Sequence, residues 1–165
     1  MATPKSGKLE CEGACIRFHD GREACRSDGE GWLTADAVEV LKSLGIARRA
    51  GGCVEVRAPA LRSRLSPCFS FIKRAVSAIP GAYKDFITQA MQEVPGFTCR
   101  TLAACLRIEY RAKLGLRPTP SIVARVLLGE DYLTDVLASA LCLIMEEDSQ
   151  LMDEAVKLFR EAFKV

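Results

Sequence analysis

The chain has little of what enzymes and membrane proteins are built from. It holds one histidine in 165 residues, and its aromatic share is 7%. That histidine, His19, sits beside Asp20 and Gly21 with no second one to complete a nucleophile–base set elsewhere. Glycine patterns of the Walker or dinucleotide-binding kind are absent, and the Asp/Glu pairs fall on solvated helix faces. The expectation is a protein that is not an enzyme, with no small-molecule substrate evident. Long apolar runs are missing too. The longest, Leu133–Met145, is interrupted by Thr134, Asp135 and Ser139, far short of the roughly 20 apolar residues of a membrane span, so no membrane partner is expected. Low-complexity tracts and internal repeats are likewise absent, which leaves an ordinary globular domain. At 165 residues it can bury a core without help from metal or disulfides.

Acidic residues are scarce in one place only. Residues 42–128 carry 15 Lys/Arg against 4 Asp/Glu, a net of +11, whereas residues 1–41 carry 5 against 8 and residues 129–165 carry 3 against 9. The formal total of +2 therefore hides a basic centre between acidic ends. A surface this basic calls for an anionic partner: a nucleic acid, an acidic protein surface, or the chain's own acidic ends. Arg48, Arg49, Arg57, Arg62 and Arg64 fall in a stretch from Lys42 to Arg74 that holds a single acid, Glu55. Arg100, Arg107 and Arg111 share a face of one helix whose other face carries Leu102, Cys105, Leu106 and Tyr110, so the arginines are expected to point outward. Arginine outnumbers lysine here, which suits bidentate contacts to phosphate or carboxylate. Phe69, Phe71, Tyr83 and Phe97 lie nearby at helical spacing and read as core rather than as stacking platforms for bases.

Punctuation by Pro, Gly and capping residues divides the C-terminal two-thirds into consecutive helices. Thr34 caps a helix of 35–44 ended by Gly45. Ile46–Arg49 and Cys53–Arg57 around Gly51-Gly52 form a small hairpin, the only strand signal. Ser66-Pro67 opens a helix to Ile79, Ala82–Val94 forms the next, Thr98–Leu114 follows, Thr119-Pro120 starts one that ends at Gly129, and Glu130–Met145 and Leu151–Phe163 close the chain. In the last pair the apolar stripes are Leu133, Val136, Leu137, Ala140, Leu141 and Ile144 against Met152, Val156, Phe159 and Phe163. The fold class read from this is mainly α: a compact bundle of about six to seven short helices with one small β-hairpin and a cysteine-rich N-terminal segment. Residues 1–33 form that segment, and 34–165 the helical domain.

Eight cysteines are many for one domain. Cys68, Cys99, Cys105 and Cys142 belong to helical stretches, where they read as small buried hydrophobes. Cys11, Cys15 and Cys25 instead crowd the histidine in the order C-x3-C-x3-H-x5-C. Three thiolates and an imidazole satisfy a tetrahedral structural zinc ion, and Gly13 and Gly21 allow the turns between ligands. Cys11, Cys15, His19 and Cys25 are therefore the candidate ligands of a zinc ion, with disulfides among these cysteines and Cys53 as the rival reading. The motif resembles the retroviral-type zinc knuckle, C-x2-C-x4-H-x4-C, in ligand order and size while departing at every interval. That resemblance implies binding of nucleic acid or protein. Asp28–Thr34 is similar to half of a calcium loop, but Arg26 and Ala37 stand where carboxylate ligands are required, so it reads as a turn with Trp32 as anchor.

The function expected is a non-catalytic binding or assembly protein with a basic central surface for nucleic acid or an acidic protein partner, possessing an N-terminal zinc knuckle. Met1–Lys8 carries charge with no apolar stretch behind it, unlike a secretory leader, so the cytoplasm or nucleus is the expected place. Had a leader been removed ahead of Met1, the same cysteines would suit a secreted, disulfide-stabilised helical effector.

Overall fold

A computed structural model describes residues 15–18, 23–24, 35–50, 53–77, 81–93 and 96–163. Where the chain was expected to punctuate itself, it does. Thr119 Oγ1 accepts from the Ile122 amide at 3.2 Å, Pro120 occupies the first turn where its missing N–H costs nothing, and Gly129 at φ +81° closes helix α5 (Pro120–Leu128). Asp131 caps α6 (Tyr132–Glu147) through the Thr134 amide at 3.1 Å. One residue, Asp148, separates α6 from α7 (Ser149–Phe163), and its carboxylate accepts from the Leu151 amide at 3.1 Å. The remaining helices are α1 (Ala35–Ser43), α2 (Ala58–Val76), α3 (Gly81–Glu93) and α4 (Phe97–Lys113). The molecule is mostly helical and cysteine-rich.

One boundary and one buried face differ from the expectation. Helix α2 begins eight residues before Ser66, with Pro59 in its first turn and Pro67 inside it. The reason is the stripe Leu61, Leu65, Cys68, Phe69, Ile72 and Val76, all buried, whose continuity outweighs one lost hydrogen bond on the exposed side where Pro67 lies. In α7 the buried face is Leu151, Ala155, Phe159 and Phe163, while Met152 and Val156 flank it half-buried. The stripe is rotated by one position because α7 packs on α2 and α6 together, and the two neighbours share its apolar arc.

The hairpin forms as expected from β3 (Ala47–Ala50) and β4 (Cys53–Val56), antiparallel, with Val54 and Val56 buried against the helices. The strands that extend it carry no strand signal of their own in the sequence. β1 (Cys15–Phe18) pairs in parallel with β4, and β2 (Glu23–Ala24) pairs with β1, giving the order β2-β1-β4-β3 among the described residues.

Helix α4 lies at the centre, touching α1, α2, α3, α5, α6 and α7. From Phe97 through Leu106 almost every side chain is buried, and Ala103 and Ala104 let neighbouring backbones approach. Thr101, buried in this run, satisfies its hydroxyl on the Phe97 carbonyl at 2.9 Å. Phe159 inserts edge-on between Phe69 (6.0 Å) and Phe97 (5.7 Å), joining α7, α2 and α4.

Candidate functional site

The arginines of the basic centre divide by what they meet. Arg48 and Glu55 are cross-strand partners in the hairpin, joined at 2.8 Å. Arg62, near the start of α2, reaches Asp148 at 3.1 Å and Glu154 at 2.9 Å, tying α2 to the start of α7. Arg64 pairs with Glu109 of α4 and also donates to the Leu44 carbonyl at 2.8 Å, which closes off the end of α1. Three of the expected binding residues are thus engaged inside the chain, and Arg62 is neutralised by the acidic C-terminal region itself. Only part of the net +11 is available to a partner.

Arg57, Arg107 and Arg111 meet no acid among the described residues. Arg57 is exposed at the N-cap of α2, a helix with no acidic residue in its first turn, so its charge and the helix N-terminus both call for an anion. The side chain of Arg49 lies outside the described residues. Arg107 and Arg111, one turn apart on α4, make no ion pair among the described residues. They are half-buried rather than fully outward, because α4 is enclosed by its neighbours along most of its length. Their Nε atoms are buried without a protein acceptor, while the Arg107 guanidinium lies 5.8 Å from the Tyr110 ring centre. Thr134 Oγ1 and Asp135 Oδ1 on α6 are also buried and unbonded. Such orphaned groups require water or a ligand. Arg100, on the same side of α4, lies against Gly129, where a Cβ would stand 3.2 Å from its guanidinium carbon. This close approach, with the positive φ, restricts that corner to glycine.

Exposed apolar side chains lie at both ends of α4. Leu114 (58% exposed) and Leu116 (47%) project from the α4–α5 connection, which also carries Arg117, and Leu128 and Tyr132 (73%) flank the turn between α5 and α6. These side chains were not singled out from the sequence; Leu114 and Leu116 beside Gly115 were the available signal.

Of the candidate zinc ligands, Cys11, His19 and Cys25 lie outside the described residues. Cys15 opens β1, in register beside Cys53 of β4. The described residues hold no cluster of three or more metal-binding side chains.

The helical cysteines are less uniform than their spacing suggests. Cys99 of α4 and Cys142 of α6 are joined as a disulfide, with Cα atoms 5.5 Å apart. Cys68 and Cys105 are buried thiols. The Cys68 thiol donates to Glu109 at 3.2 Å, beside the Arg64 pair. Burial pushes the Cys105 thiol well above its ordinary pKa; its contact with Cys68 and the Glu109 charge push the same way, and Arg64 pulls it back.

No family model, curated protein or solved structure matches the chain. What the geometry defines is a mainly α, cysteine-rich domain built around one buried helix, with no helix among the described residues long and apolar enough to cross a membrane.

Proposed function

We propose that this is a non-catalytic binding or assembly protein whose basic surface, centred on Arg107 and Arg111 with Arg57 as an outlying contact, holds an acidic protein surface. The observation that supports this most is the pair of half-buried arginines on α4 that meet no acid among the described residues. A carboxylate delivered by a partner pairs with the outer guanidinium ends of these half-buried side chains and neutralises their charge. The exposed Leu114, Leu116, Leu128 and Tyr132 favour protein over nucleic acid, because Tyr, Arg and apolar side chains together are the composition of protein interfaces. Single-stranded nucleic acid would ask for several exposed aromatics, and Phe69 and Phe97 are core residues.

The test titrates the protein with a polyglutamate peptide and with short single- and double-stranded RNA and DNA at several salt concentrations. Peptide binding that falls with salt and is lost in Arg107→Gln/Arg111→Gln supports the reading. A steeper salt slope with the oligonucleotides, from counterion release, would transfer it to nucleic acid. Failure of every ligand at low salt removes it. Zinc held by Cys11, Cys15, His19 and Cys25 belongs to the same proposal as a local fold for the N-terminal segment. Elemental analysis after purification without chelator checks it, and a zinc content near zero discards it.

The Cys99–Cys142 bridge favours a second reading, a secreted disulfide-stabilised helical effector, since such bonds persist in oxidising compartments. Under that reading the basic surface serves the same class of partner outside the cell.

A further inference from the structure

Helices α2 and α4 meet through two pairs of positions. Arg64 and Cys68 lie one turn apart on α2; Cys105 and Glu109 lie one turn apart on α4. Arg64 pairs with Glu109, and Cys68 donates to the other oxygen of the same carboxylate at 3.2 Å. The helices therefore run antiparallel here, with Cys68 and Cys105 neighbouring each other across the seam beside Glu109. Both are buried, at 2% and 0% exposure. Elsewhere α4 already supports a bridge to a neighbouring helix, at Cys99–Cys142, so helix spacing in this bundle is compatible with disulfide geometry.

A structural explanation of two buried thiols would need only apolar surroundings. These instead sit beside a carboxylate that can accept a proton and an arginine that can balance a thiolate. We propose that Cys68 and Cys105 are a redox-active dithiol that closes into a disulfide across the α2–α4 seam when a low-molecular-weight disulfide is supplied. Cys68 gives its proton to Glu109 and its thiolate attacks one sulfur of the reagent. The reagent's S–S bond breaks, and its other half leaves as a thiol on taking up a proton. Once Glu109 has passed its proton to that leaving group, it takes the Cys105 proton; the Cys105 thiolate attacks the Cys68 sulfur, forming the protein disulfide and breaking the mixed one, and the second reagent half leaves as a thiol on taking up that proton. Two protein thiols are oxidised and one reagent disulfide is reduced to two thiols. Glu109 is the proton acceptor and Arg64 its counter-charge. Since neither sulfur reaches solvent, the first attack waits on local opening of the seam, which makes the reaction slow in the rested fold and faster in any state that loosens α2. This inference is independent of the basic surface and its partner.

The test equilibrates the full-length wild-type protein in glutathione buffers of stepped ratio, traps free thiols by alkylation and maps linked peptides by mass. A peptide pair joining Cys68 to Cys105, two hydrogen masses lighter and absent in both Cys68→Ser and Cys105→Ser, is the expected result. The bridged form should melt about 10 °C above the unbridged one, because the cross-link removes unfolded-state freedom. In Glu109→Gln, loss of the negative charge beside Arg64 should move the pH profile of bridge formation to lower pH. If Cys68 and Cys105 are alkylated at every buffer ratio while Cys99–Cys142 forms, or if either pairs with a different cysteine, the proposal is overturned. An unmoved pH profile in Glu109→Gln overturns the role given to that carboxylate.

Discussion

Two sides of helix α4 treat the same residue type in opposite ways. Toward α2, Glu109 answers Arg64, Arg64 answers the Leu44 carbonyl, and the Cys68 thiol uses the remaining carboxylate oxygen. Toward the outside, Arg107 and Arg111 lie within a turn of Glu109 in sequence and yet reach no acid among the described residues. The difference teaches that net charge along a sequence says little about which cations are available. Arg48, Arg62 and Arg64 belong to the same basic run and spend their charge inside the fold, where they join hairpin strands, α2 to α7 and α2 to α4. What remains for a partner is smaller and better defined than the composition implies.

That contrast can be broken most severely at its packed side. Phe159→Ala should cost about 3–5 kcal/mol, because it empties the junction where α7 meets Phe69 and Phe97, and a urea titration reads it as a lower midpoint. Loss of under 1 kcal/mol would mean that the three helices do not depend on this ring. Next comes Glu109→Ala, which leaves Arg64 half-buried and unpaired. Both groups are about a third exposed, so the loss should be about 1–2 kcal/mol rather than the larger cost of a fully buried pair. Arg62→Ala should cost about 0.5–1 kcal/mol and lose its effect in high salt, as partly exposed ion pairs do. The smallest effect on stability belongs to the other side: Arg107→Gln/Arg111→Gln should stay within about 0.5 kcal/mol of wild type, since no pairing is lost. The same double variant should show the largest loss of partner binding, and equal destabilisation of both sides of α4 would erase the contrast.

The seam also has a pH signature. Burial raises the folded-state pKa of Cys105 above its unfolded value, so the folded protein holds a proton that the unfolded chain releases. Stability from this source is complete below the unfolded thiol value of about 8.5 and declines as pH rises from there toward the raised folded value. Denaturation midpoints of wild type and Cys105→Ala, measured from pH 7 to pH 10 without oxidant, should converge toward the alkaline end. Parallel curves would mean that the thiol is not held neutral.

Local grammar determined much of this protein. Thr119, Pro120 and Gly129 bound one helix within a few residues of chain, and Gly45 set the end of α1, because caps are satisfied by groups adjacent in sequence. Apolar periodicity likewise marked the buried positions of α6, from Val136 to Ile144. Where a decision depended on neighbours far along the chain, the sequence was silent or misleading. Pro67 looked like a helix start and lies inside α2, since the stripe from Leu61 to Val76 has a continuous core to meet. Four helical cysteines looked alike, and placement of α4 against α6 and α2 made two a disulfide and two a dithiol. Among the arginines, residue type and spacing fixed the charge, but only the packing of α2, α4 and α7 decided that Arg62 and Arg64 meet acids 86 and 45 residues away while Arg107 and Arg111 meet none among the described residues. An ion pair falls off within a few ångströms in water, so its existence is a property of side-chain positions in space, and those are set by the core.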